Sequence, residues 1–495
     1  MKQRITYLVQ NPDDFTPEQL DVSETTFTLN KVPAAKEHRI TFGLSELPGE
    51  LRTAFEQWHE LHIRWTCQTP YTAVPPFTSR VSPGLHVFFT PRKDQPETTL
   101  CDHLHQAFGP LPKCSSPTTS FTKLPVLSER FSMSSYFQYY AHVPTLENLV
   151  TFIHEKLCNS SSKACKAAAS SLLSVAYLDI DYDAISHAVV INAFWAPNTW
   201  TESVTLPGKQ DTIEIGVLTH EPNPDPDDIG FGGFLTVLGQ DTAPKPTRFQ
   251  TPTRHYPLAH PLTYTTSLSS PTGLHPTLII SLSTLPIPPH ATCKLHAHLT
   301  LPSALFIDKY QFVDPLFLAA HHLHALRSLS GATDLEAPDW VVEQWGSAAL
   351  FEVALPNAPN QQAPPAAYNI SIPLHLRYLP AAPSSHSAVP LPWPVLFFAC
   401  RADEGAKMAG NPFDRLHLGY EALFGPKTRF MHVPPAQGVD GMVEWIDVPV
   451  LDLRGAAWVE WGTVGMVVGA FLGLCWVLFG GKKEVVVEKG GKKKQ

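Results

Sequence analysis

Asp179 and Asp181, in the segment YLDIDYD, are the pair whose type and spacing could do chemistry. Two carboxylates two residues apart on a strand share a face and can hold a hard divalent cation. This DxD form is used by many sugar-nucleotide transferases. Here it lies beside a strand pattern with no nucleotide-binding strand–helix–strand unit around it. Asp225, Asp227 and Asp228, in NPDPDD at 223–228, read as a solvated loop. His321, His322 and His324 lie in LFLAAHHLHALRSL. Read as a helix, this places His321 and His324 on one face, with no acidic or Cys companion and no HExxH arrangement. His296 and His298 share the outer face of a strand pattern, where surface or packing histidine is the simpler reading. No GxSxG, Walker or GxGxxG element stands in a strand-to-helix context. The sequence thus offers no catalytic, cofactor or metal residues.

The chain has 495 residues, a formal net charge of −9, and only 16% charged residues against 43% hydrophobic ones. Apolar content at that level excludes a chain disordered throughout, and no basic stretch outside the extreme C-terminus offers a nucleic-acid surface. The 48 prolines are spread along the chain, which suits neither coiled coil nor solenoid.

Residues 461–481, WGTVGMVVGAFLGLCWVLFGG, carry no charge. Twenty-one residues of helix reach roughly 31 Å, enough for a transmembrane helix. Acidic residues dominate the segment before the run, whereas the 482–495 tail holds six Lys and two Glu. The positive-inside rule therefore puts the tail in the cytosol and residues 1–460 across the membrane, a type I-like arrangement. Lys492 and Lys493, fourth and third from the end, fit a dilysine ER-retrieval address or a plain lysine anchor. Gly465, Gly469 and Gly473 form a flat stripe on which another membrane helix could pack. No cleavable signal peptide is visible at the N-terminus.

The fold class expected is a mostly beta, alpha+beta ectodomain with one C-terminal transmembrane helix. Residues 1–240 mix strand patterns with helical ones at 50–65 and 146–158, an alpha+beta region. Pro-rich residues 241–274 read as a linker. Residues 275–455 carry short alternating strands, including 293–301 and 370–378, between Pro-rich turns, the pattern of a beta-sandwich. Pro373 marks its strand as an edge or a bulge. Seven Cys precede the span. Cys158 and Cys165 could bridge a Ser-rich loop, and Cys293 and Cys400 could join the sheets; buried free thiols are the alternative for each pair. Asn159 and Asn369 stand in N-glycan acceptor tripeptides.

Residues from about 275 to 480 resemble the PIG-X family through CKLHAHLTLPSALFIDKYQF, DLEAPDW at 334–340, PLHLRYLP and LPWPVLFFAC before the span. The long N-terminal part, with EIGVLTHEP at 214–222 and GGFLTVLG at 232–239, is similar to the fungal PBN-type form. The resemblance implies a non-catalytic, ER-luminal accessory subunit of GPI mannosyltransferase I. It would stabilise a PIG-M-type catalytic subunit, which adds the first mannose during GPI-anchor biosynthesis. It also implies an association with folding and processing of secretory proteins. The alternatives are a general ER luminal chaperone with no dedicated enzyme partner and an enzyme that uses Asp179 and Asp181.

Overall fold

The computed structural model describes residues 1–92, 99–125, 137–158, 162–208, 211–222, 228–258, 260–269, 273–356, 368–402, 413, 417–425 and 427–480. They fall into two units: residues 1–378 with 389–446, and residues 379–388 with the chain from Asp447 onward. The first unit is mostly β.

Its largest sheet has twelve strands. The order along its main path is Lys245–Pro252, Asp228–Val237, Thr212–Glu221, Lys2–Val9, Thr26–Gly43, Ala188–Thr205, Tyr177–Asp183, Trp58–Thr66, Gly84–Pro91, Phe137–Ala141 and Thr122–Lys123. Lys2–Val9 and Thr212–Glu221 run parallel, while the other neighbours given along this path are antiparallel. One face carries a helical layer. Ala54, Leu100, Leu104, Phe108 and Leu149 from helices Gly49–Phe55, Leu100–Phe108 and Glu147–Lys156 pack on Leu61, Ile63, Trp65, Leu178 and Tyr182. At about 25 cal/mol per Å² of apolar surface, this burial is a main source of the unit's stability.

A second, six-stranded sheet runs in the order His255–Pro257, Thr428–His432, Val395–Arg401, Lys294–Pro302, Gly346–Val353 and Leu323–Gly331. A third consists of Tyr264–Leu268, Thr277–Leu282 and Tyr368–Pro373. Residues 241–274 therefore contribute a strand to each of the three sheets. Their prolines are tolerated because Lys245–Pro252 lies at a sheet edge, where a missing N–H breaks no ladder. Pro373 ends the edge strand of the third sheet.

Two helical expectations fail locally. In 50–65 the helix stops at Phe55, and Trp58–Thr66 is a strand. Leu61, Ile63 and Trp65 meet the helical layer, while His62, Arg64 and Thr66 point to the opposite, equally buried face. In 316–329 the helix Pro315–Ala320 ends before His322, which has φ 56°, and Leu323–Gly331 continues as a strand. A left-handed residue cannot propagate a right-handed helix.

In the second unit, backbone bonds from Ala382 N–H to Leu451 O and from Leu453 N–H to Ala382 O tie its two segments together. The Asp452 carboxylate accepts from Arg454 N–H and leads into the helix Ala456–Phe479. It is the one helix among the described residues long and apolar enough to cross a membrane, and none of its 18-residue apolar window is buried.

Candidate functional site

Strand alternation places Asp179 and Asp181 on the face of the large sheet away from the helices. Both meet side chains of the neighbouring strand. Arg64 Nε and Nη2 donate to the two Asp179 carboxylate oxygens at 2.7 and 2.8 Å. Arg64 Nη1 donates to Ser79 Oγ at 3.0 Å, and the guanidinium carbon lies 4.1 Å from the centre of the Tyr177 ring. Arg64 and Asp179 are only 1% and 3% exposed. Burial opposes the Arg64 charge, but Asp179 outweighs it and holds the guanidinium pKa above its ordinary value. His62 Nδ1 is 2.9 Å from Asp181 Oδ1, and its ring stacks on His417 at 3.6 Å between centroids.

Register extends this pairing into a row. Glu214, Arg4, Arg39, Asn192, Asp179, Arg64, His86 and Tyr140 stand opposite one another on successive strands. Cross-strand neighbours share a face, so the row is one polar rung that runs from exposed Glu214 through half-buried Arg4, Arg39 and Asn192 to buried Asp179, Arg64, His86 and Tyr140. Asp179 works here as the counter-ion of Arg64. Among the described residues no three His, Cys, Asp or Glu side chains are grouped to hold a metal.

Residues 79–82 link this face to the second sheet. Ser79 accepts from Arg64, and Val81 packs with Leu350, Phe397, Tyr420 and Phe430. Tyr420 Oη donates to Arg80 O at 3.0 Å, and His432 Nε2 lies 3.2 Å from His255 Nδ1. Several histidines are buried in or beside this layer. Burial pushes His298 down to about 3, and His86 and His296 down to about 4, so all three are neutral at neutral pH. His296 and His298 thus do not face solvent, because the Lys294–Pro302 strand is covered on both sides.

The His321–His324 group disperses. His321 Nδ1 pairs with Ser371 Oγ at 2.7 Å, His322 Nδ1 with Asn369 O at 2.5 Å, and exposed His324 points toward Glu352 at 3.7 Å. The cysteines converge: Cys158 joins Cys165, Cys293 joins Cys400, and Cys101 joins Cys114. The sequence reading did not find the Cys101–Cys114 pair. Its only signal was a spacing of thirteen residues around a short helix. Cys67, half-buried, keeps its thiol and donates to Thr69 O. Asn369 is exposed on an edge strand, where a glycan could be accommodated. Asn159, Lys492 and Lys493 lie outside the described residues. Gly465, Gly469 and Gly473 lie on the membrane-length helix; nothing within 4 Å would meet an added Cβ at any of them. Their stripe is open to a neighbouring helix.

The comparisons agree on one family. A family model described as PIG-X / PBN1 matches residues 271–479. The chain is 44% identical to Protein pbn1 of Emericella nidulans, over 97% of this chain and 95% of that protein. It is 42% identical to Protein pbn1 of Aspergillus oryzae, covering 97% and 96%, and 39% identical to that of Neurospora crassa, covering 100% and 97%.

Proposed function

The chain belongs to the PIG-X / PBN1 family, and on that premise we propose that it is the non-catalytic stabilising subunit of GPI mannosyltransferase I in the ER membrane. The observation that carries this reading is near full-length identity to Protein pbn1 relatives, through both the β-rich unit and the membrane-length helix. The site geometry supports a structural role: the DxD carboxylates are engaged by Arg64 and His62. Three disulfides among the seven cysteines before the helix favour an oxidising, luminal setting for the β-rich unit. The Gly465/Gly469/Gly473 stripe would pack on a span of a PIG-M-type catalytic subunit, and the luminal unit would dock on that partner's loops.

Co-immunoprecipitation from mild detergent, with glycosidase digestion of the wild type and of Asn159→Gln and Asn369→Gln variants, tests partnership and sidedness together. The proposal expects the catalytic subunit in the precipitate and a mobility shift lost with the acceptor asparagines. Recovery of many unrelated secretory proteins without a mannosyltransferase subunit would make the chain a general luminal chaperone instead.

A further inference from the structure

The membrane-length helix starts at Ala456 and stops at Phe479, before the charge-free run ends. Gly480 closes it, donating its N–H to Trp476 O at 2.8 Å. The charge-free part of the helix is therefore 461–479, a rise of about 27 Å. Two aromatic residues repeat that length. Trp458 and Trp476 are five full turns apart, so they share one helix face at a separation of about 27 Å. Both are exposed, at 82% and 76%. Trp side chains favour the two membrane–water interfaces. Glu460 lies on the opposite face, and its side chain can reach back toward the headgroups because helical side chains lean toward the N-terminus. Glu460 precedes the run, and only Gly480 and Gly481 separate the end of the helix from Lys482.

The ER hydrocarbon core is about 27 Å thick, and that of the plasma membrane about 32–33 Å. We propose that this helix is matched to a thin bilayer of ER thickness, and that lipid matching favours the chain's residence there whether or not Lys492 and Lys493 act as an address. The inference rests on reading the helix as a membrane span.

The test uses the purified full-length chain, labelled with donor or acceptor dyes, in phosphatidylcholine vesicles with hydrocarbon cores of roughly 27 or 33 Å. Mismatch drives self-association, so energy transfer should report association roughly tenfold stronger in the thicker bilayer. Inserting four Leu between Leu478 and Phe479 adds about 6 Å and should reverse the preference. Equal association in both bilayers, or an insertion variant that follows the parent, would overturn the proposal. No partner subunit is present in this assay, so its failure leaves the subunit reading standing. Failure to recover the catalytic subunit would likewise leave the thickness match intact.

Discussion

Asp179→Ala is expected to destabilise the β-rich unit strongly. The substitution leaves the Arg64 guanidinium buried, with Ser79 Oγ and the face of Tyr177 but without its carboxylate. Removing one partner of such a pair costs about 3–5 kcal/mol, because the other charge is left uncompensated in low dielectric. Domain stability is of order 5–15 kcal/mol, so about a fifth or more of it would be lost. Asp181→Ala should cost less, about 1 kcal/mol, since it removes a single contact to the His62 ring and the Asp181 side chain is 21% exposed. The double variant Arg64→Met, Asp179→Leu removes both charges at similar volume and should recover most of the loss. Thermal unfolding of the full chain in detergent, followed by tryptophan fluorescence, together with steady-state protein level, reads all four proteins. A metal-holding DxD would make the two aspartates equivalent and leave folding intact. An Asp179→Ala protein that melts with the parent, while the partner enzyme loses activity, would refute the counter-ion account.

Acidification should destabilise the unit through its buried histidines. Their folded pKa values lie below the ordinary 6.5, so the unfolded chain binds more protons as pH falls. Stability is full above about 6.5 and declines through the window down to 3–4. At pH 5 each of His86, His296 and His298 contributes a loss of about 2 kcal/mol, and a melting temperature unchanged between pH 7.5 and 5 would contradict this. Cys101→Ala with Cys114→Ala opens a loop of thirteen residues and should cost about 3 kcal/mol, read as a lower denaturant midpoint. Replacing Gly465, Gly469 and Gly473 by Leu should cut co-precipitation of the catalytic subunit several-fold without changing protein level; undiminished recovery would remove the stripe from the interface.

The sequence was legible where one face of an element is apolar and its length is decisive. The helical pattern at 146–158 appears as Glu147–Lys156, and the alternation at 293–301 as Lys294–Pro302. It misled where both faces are buried. His62, Arg64 and Thr66 look like the wet side of an amphipathic element, and apolar residues around them satisfy a helical spacing equally well. Their true environment depends on Asp179 and Asp181, more than a hundred residues away, and no local pattern encodes that pairing. His296 and His298 illustrate the same point: alternation gives the face but not what covers it. The covering layer is built from residues 79–82, 417–425 and 427–432, which the sequence offers only as turns and short apolar runs. Asp179 and Asp181, which look catalytic by type, are placed by the fold where Arg64 and His62 already engage them. The apolar helix and its glycines, by contrast, are exposed along their length and open to a neighbouring helix.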